Sequence, residues 1–164
     1  MALVILALMV YLISEVPEQS KEKNIIFDKR LNQFIKIAIV LSLIQITLGT
    51  QVRQLIDEIS SSLNHMQRNL WVNLVGTTFK VHRSFAISLV IINVALFFRN
   101  YKLKYRYQLV NFICAVVFLE VLSGIILTYF DMLALMQPIH LTAASLLFLL
   151  QIALYFQLQK SKSN

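Results

Sequence analysis

Long apolar stretches alternate with short polar segments along the 164-residue chain. Four of them reach the ~17–25 residues with which a helix crosses the hydrocarbon core of a bilayer, and they cover residues 31–50, 82–98, 109–130 and 138–158. Their hydrophobicity is nearly continuous and does not alternate with a period of two, which favours helices over the strands of a membrane barrel. The pattern therefore predicts an all-α integral membrane protein whose membrane domain is a four-helix transmembrane bundle.

Composition supports a membrane environment. The chain is 58% hydrophobic and only 14% charged, whereas soluble domains average about 45–50% and about 25%. The mean hydropathy is +0.70. This composition excludes a disordered chain. The single cysteine, Cys114, excludes a disulfide scaffold or a thiolate zinc site, and it is interpreted as an inert small residue.

The basic residues are distributed unequally between the two sides of the predicted bundle. Of the 15 Lys and Arg residues, eleven lie in segments 15–36 and 99–107 and in the tail, and four lie on the other side. The net charge of +7 is therefore interpreted as a topology signal, not as a nucleic-acid surface. The positive-inside rule puts the eleven in the cytoplasm, or in the matrix of a mitochondrion. The absence of an Arg-rich, Ser-rich presequence favours a bacterial inner membrane.

A fifth apolar segment, residues 1–14, is too short to span alone. It lacks the basic start and the cleavage site of a signal peptide, so we interpret it as part of a longer helix. The predicted organisation is a partial transmembrane helix (1–14), a basic cytoplasmic linker (15–30), a four-helix membrane domain (31–158) with an outer loop (51–81), and a cytoplasmic tail (159–164).

The outer loop contains a helical pattern of its own. Apolar residues recur at helical spacing at Leu55, Ile56, Ile59 and Leu63, which predicts a short amphipathic helix at the interface. Trp71 is suited to an interfacial anchor. A loop of this length is more often functional than accidental, and a lid over a site is one option.

Two histidines begin apolar stretches. His82 opens the second of the four spans and His140 the fourth, with Pro138 suited to a first helical turn. Both helices enter from the outer side and run in parallel, so the two imidazoles are expected at the same depth. On a diagonal of the bundle they would leave room for a flat metal macrocycle between them. His65, in the polar loop, is interpreted as a solvated surface residue.

Small residues accompany this pair. Gly49 and Gly124 lie near the outer ends of the intervening helices, and one turn after each His comes an alanine, Ala86 or Ala143–Ala144. Such gaps would accept the edge of a porphyrin. The alternative is that each His lies at the interface and the small residues only permit close helix packing, and the residues alone leave both open.

Other polar residues also have two interpretations. Arg53 and Arg83, near the outer interface, are candidates to pair with haem propionates, and simple snorkelling is equally open. Glu120 lies at depth in the third span, either protonated or paired with a polar neighbour such as Gln45, and its role, structural or proton-handling, is undecided.

A weak internal repeat connects these features. QITLGTQ and EVLSGIILT each precede a helix that opens with histidine, HRSFA and HLTAA. The repeat predicts two pseudo-symmetric helical hairpins, each of which contributes one His.

Taken in order, LGTQVRQ, HRSFA, LSGI and QPIHLTAASLLF resemble the haem A synthase family over residues 34–157. The resemblance implies eight helices in two four-helix halves, of which this chain looks like the second, with 1–14 as the end of the first. It implies oxidation of the C8 methyl of haem O to a formyl, giving haem A for terminal oxidases. In this half, haem b would be held between the residues that match His82 and His140.

Three features differ from the family pattern. Phe79 corresponds to the catalytic Glu of the other half, the cysteine pair of the first outer loop is missing, and QLIDEISSSLNHMQ replaces the usual continuation after VR. Catalytic residues within this chain therefore stay unknown. The expected partners are membrane lipid, haem O synthase, the terminal oxidase, and a second copy or a chain that supplies the other half.

Two other functions remain open. A small b-type cytochrome would only pass electrons between a quinone and a partner. A non-catalytic assembly subunit would use its two His at the interface and bind no haem.

Overall fold

The computed structural model describes residues 27–104 and 106–163. Within these ranges it contains helices and connecting turns and no strand, which confirms the all-α prediction. The five helices are α1 (Lys29–Ser62), α2 (Arg68–Val75), α3 (Thr77–Tyr101), α4 (Leu109–Tyr129) and α5 (Met136–Ser163). All except α2 are long and apolar enough to cross a membrane. The predicted partial helix 1–14 and most of the linker 15–30 lie outside the described residues.

Helix α1 is longer than its predicted span. Its 34 residues correspond to about 51 Å at 1.5 Å per residue, well beyond a ~30 Å hydrocarbon core. Residues 51–62, predicted to begin the outer loop with a separate amphipathic helix, continue α1 without a break, since no Gly or Pro interrupts them. The first 12 of the 31 residues assigned to the loop 51–81 are therefore helical extension, and α3 takes up its last five, from Thr77.

The remainder of the loop folds back over the end of the bundle. Three residues between α1 and α2 have left-handed backbone angles, namely Asn64, His65 and Gln67, and the chain turns again at Gly76 (φ 67°) between α2 and α3. These turns bring Trp71 into a small apolar cluster with Ile56, Val75 and Met132. We call this the cover cluster.

Trp71 does not have the interfacial position predicted for it. Its side chain is 5% exposed, and its indole Nε1 donates to the carbonyl oxygen of Met66 at 2.9 Å. An indole with its N–H satisfied inside the loop can be buried without penalty, and it then holds the loop together.

The four long helices form a closed ring in the order α1, α3, α4, α5. Helix α1 packs against α3 and α5, and α4 packs against the same two, with the closest packing inside the pairs α1/α3 and α4/α5. Among the described helices, α3 and α5 lie on a diagonal, as expected for the two that carry histidine. A continuous apolar core runs between them, with Ile35, Leu96, Ile113 and Leu154 fully buried.

A polar network crosses this core at mid-bundle. Ser42 Oγ donates to Gln151 Oε1 at 2.7 Å, and Gln151 Nε2 donates to Asn93 Oδ1 at 3.2 Å. Asn93 Nδ2 in turn donates to the carbonyl of Leu89 at 2.8 Å. All three side chains are at most 2% exposed. The network therefore joins α1, α3 and α5 in one register where any shift would leave polar atoms unsatisfied.

The opposite end of the bundle is closed by charged and polar contacts. Asp28 caps α1 by accepting from the backbone N–H of Leu31 at 2.7 Å, and it also pairs with Arg99 near the end of α3. Helix α5 continues to Ser163, five residues past the predicted boundary at 158. The hydroxyl of Tyr107 lies 3.0 Å from that of Ser161, so the predicted tail is largely a packed helical turn.

Candidate functional site: a cavity between two histidines

A cavity of about 270 Å³ lies between the four long helices, at the end where the cover cluster sits. Both His82 and His140 line it, one from each diagonal helix. Its floor and walls are mostly apolar, with a few polar groups. Those that face it include Gln45, Thr50, Arg53, Glu120, Thr128, Gln137 and Ser145.

His82 has one polar neighbour. Gln45 Nε2, on α1, lies 3.3 Å from His82 Nε2. Gly49, one turn further along α1, lies against the same ring, so that an added Cβ would stand 3.5 Å from His82 Cε1. The glycine therefore leaves a shallow space into which the imidazole fits.

His140 is held more firmly. Its Nδ1 lies 2.9 Å from Ser123 Oγ and 3.0 Å from Glu120 Oε2, both on α4. Gly124 repeats the relationship found at Gly49, since a Cβ there would stand 3.5 Å from His140 Cε1. The two hairpins thus present their histidines in the same way, each ring beside a glycine of the preceding helix.

Three buried polar atoms near the cavity have no hydrogen-bond partner among the described residues. They are Gln45 Oε1, His82 Nδ1 and Glu120 Oε1. Leaving such an atom unsatisfied costs about 1–3 kcal/mol. Unsatisfied polar atoms at one cavity are typical of a site that a ligand completes.

The described helices, their diagonal histidines and their paired glycines agree with one known family. The model of the COX15-CtaA family, whose members are described as cytochrome oxidase assembly proteins, matches residues 1–152. The chain belongs to this haem A synthase family. Comparisons with curated proteins and with solved structures return no match.

Family membership and the four apolar helices together show an integral membrane protein with a role in cytochrome oxidase assembly. Within the cavity of this family member, Phe79 contributes an apolar wall. Ala144 also lines the cavity, whereas Ala143 is buried in the main core. Ala86 is not among the lining residues.

The two arginines considered from sequence lie differently. Arg53 lines the cavity, and its Nε is paired with Asp57 Oδ2 at 3.0 Å on the solvent-facing side of α1. Arg83 is exposed and does not line the cavity. His65 is exposed, as expected, and its Nδ1 lies 2.9 Å from Ser60 Oγ.

The contact between Glu120 and His140 is what sequence reasoning missed. Glu120 was expected to be protonated or paired with a residue such as Gln45, because no cationic partner is near it in sequence. A signal was present in the repeat, since Gln45 precedes Gly49 by four residues and Glu120 precedes Gly124 by the same spacing. Ser123 was not considered at all.

Proposed function

We propose that this chain is the haem b-binding half of a haem A synthase, with His82 and His140 as the axial ligands. The observation that carries the proposal is that these two imidazoles, from diagonal helices, line one cavity and each has a glycine against its ring. Neutral imidazole is a recognised axial ligand of haem iron. A bound haem b would supply one-electron transfer.

The donor set and the shape of the cavity fit this group. Among the described residues there is no cluster of three or more His, Cys, Asp or Glu that could hold a bare metal ion. A porphyrin brings its own equatorial nitrogens, so two imidazoles are sufficient. The volume of about 270 Å³ is near the lower end of the ~300–1,000 Å³ found for small-molecule sites. Both glycines keep the space beside the imidazoles free.

Other residues of the chain are assigned supporting roles. Arg53, which lines the cavity, is a candidate partner for a propionate through its guanidinium. Arg83 is a second candidate, and because it is exposed away from the cavity its side chain would have to turn inward. The cover cluster excludes water from above, which keeps the dielectric low around the imidazoles.

For the completed enzyme we propose oxidation of the C8 methyl of haem O to the formyl of haem A. Phe79 occupies the position that resembles that of the family's catalytic Glu in the other half. An electron-transfer role for this half follows, with haem O bound by another half from a second copy or a partner chain. Haem O synthase and the terminal oxidase are the proposed upstream and downstream partners.

We also propose an orientation. Eleven of the 15 Lys and Arg residues lie at the end opposite the histidines, which favours an extracytoplasmic cavity in a bacterial inner membrane.

A b-type electron-transfer cytochrome is the second candidate. It is favoured by the same pair of imidazoles, because six-coordinate iron has no open position for oxygen. A non-catalytic assembly subunit without haem is the third.

The test is a pyridine haemochrome assay of the purified full chain in detergent, with chromatography of the extracted haems. We expect haem b with a low-spin spectrum, and its loss in His82→Ala and His140→Ala, whereas His65→Ala keeps it. Conversion of haem O to haem A by the chain with its other half would distinguish the enzyme from the cytochrome. Normal absorbance in both cavity variants would remove the ligand assignment, and haem-free wild-type protein would favour the assembly subunit.

A further inference from the structure

The two histidines occupy equivalent positions in the repeat but have unequal partners. Each ring contacts the side chain that precedes the hairpin's glycine by four residues, Gln45 for His82 and Glu120 for His140. An amide stands on one side and a carboxyl group on the other. The pseudo-symmetry is therefore broken in the groups that touch the imidazoles.

The hydrogen bonds around His140 determine which ring nitrogen carries the proton. Ser123 Oγ donates its hydrogen to the backbone carbonyl of Glu120 at 3.1 Å, so toward the ring it can only accept. Glu120 Oε2, 3.0 Å from the same Nδ1, is a second acceptor. Both neighbours of Nδ1 accept, so Nδ1 bears the hydrogen and Nε2 keeps its lone pair. Within the described structure no hydrogen bond engages Nε2.

His82 has no comparable constraint. Its one polar contact, to Gln45 Nε2 at 3.3 Å, makes His82 Nε2 the acceptor and leaves the buried Nδ1 without a partner. Exchange of the amide N and O of Gln45 would reverse these roles, because Gln45 Oε1 is also without a partner. The protein therefore allows His82 either tautomer.

We infer that Glu120 and Ser123 are positioning residues that hold His140 as the ready-made ligand of the cavity through its Nε2, whereas His82 is the adjustable ligand. This inference rests on the proposed haem site for its consequence, but the tautomer of His140 belongs to the protein alone. A carboxylate behind a ligating imidazole orients the ring and raises its basicity, and removing such a partner changes affinity about 10–100-fold.

The first experiment uses the haem-free full chain in detergent with ¹⁵N-labelled histidine. Only three His are present, so His65→Ala, His82→Ala and His140→Ala assign the signals. We expect His140 to show one protonated Nδ1 and one unprotonated Nε2, and His82 to show a tautomer mixture. In Glu120→Leu/Ser123→Ala the preference of His140 should disappear, and in Gln45→Leu it should stay. An Nε2-protonated His140 in the wild type would overturn the inference whether or not haem binds.

The second experiment titrates haemin into the same proteins and measures the midpoint potential. Glu120→Leu/Ser123→Ala should weaken haem affinity about 10–100-fold, and Gln45→Leu by less than a third of that factor. Glu120→Gln keeps an acceptor for Nδ1 without the charge. It should retain haem and raise the potential, with a change of about tenfold in the ferric-to-ferrous ratio, or 59 mV. Equal losses at Gln45 and Glu120 would overturn the inequality, whereas wild-type protein that binds no haemin would overturn the proposed function and leave the NMR result standing.

Discussion

Gly124 lies directly beside the imidazole of His140, so that a Cβ at position 124 would stand 3.5 Å from Cε1. The same distance separates a Cβ at Gly49 from His82 Cε1. This is ordinary van der Waals contact without a clash. The two glycines therefore leave room next to the rings, although the backbone itself would accept alanine at either position.

Alanine and leucine at Gly124 are expected to behave differently. Gly124→Ala should fold normally and gain about 1 kcal/mol from helix propensity. Gly124→Leu must displace the imidazole, at a cost of about 1–3 kcal/mol for overpacking, and should lose most of the bound haem. Haem content and thermal unfolding in detergent measure both effects. Equal haem content in the two variants would show that the space beside His140 is not used.

Gln151 is expected to contribute to stability and not to haem binding. Replacement by Met leaves Ser42 and Asn93 without their shared partner. Hydrogen bonds between membrane helices are worth ~0.6 kcal/mol on average and up to ~1.7, so a loss of about 1–2 kcal/mol is expected. Unfolding by a denaturing detergent measures it, with Gln159→Met at the end of α5 as the matched control. A stability unchanged from wild type would mean that Ser42 and Asn93 find other partners.

The pair Asp28 and Arg99 should make stability depend on acid pH. The guanidinium of Arg99 holds the pKa of Asp28 below its ordinary value of 3.8. Because the folded pKa lies below the unfolded one, this stabilisation is fully present above about 3.8 and is lost as the pH falls through the folded pKa. Asp28→Asn keeps a capping side chain but removes the charge.

The comparison of wild type with Asp28→Asn isolates this effect. The variant should be less stable near neutral pH, and the difference between the two should shrink in acid. Thermal unfolding at a series of pH values tests it. A difference that stays constant down to the lowest pH would contradict the charge-pair explanation.

Trp71 is expected to hold the cover over the cavity. Trp71→Ala removes a buried ring, a change that costs about 3–5 kcal/mol in a core, whereas Trp71→Phe loses mainly the hydrogen bond to Met66, about 1 kcal/mol. Leu74→Ala, at an exposed position of α2, is the control. Because the loop is a local unit, faster amide exchange in residues 64–76 is expected in Trp71→Ala, with the long helices unchanged. Unchanged exchange in the loop would argue against a cover held by Trp71.

Some features of the molecule follow from the sequence because the bilayer imposes them. Four apolar stretches of spanning length predict four helices, since every backbone polar group must be satisfied inside the hydrocarbon. The repeat predicts two hairpins, and the parallel course of α3 and α5 puts His82 and His140 at one end. The ordered motifs also indicated the family.

Other features depend on the tertiary structure. Hydropathy marks where a helix leaves the bilayer but not where it ends, and so the continuation of α1 to Ser62 was not predicted. The buried position of Trp71 depends on backbone turns at Asn64, His65 and Gln67, which the residues permit without requiring.

The pairing of polar groups is the clearest case. Sequence places Glu120 in an apolar helix, and only the packing of α4 on α5 brings its carboxyl group 3.0 Å from His140. The same packing decides that Arg53 lines the cavity while Arg83 does not. The period of a helix determines which residues share a face, but which face meets which neighbour is decided by side-chain fit between helices. Sequence therefore determined the spans and the two histidines, and the tertiary structure decided which groups hold them.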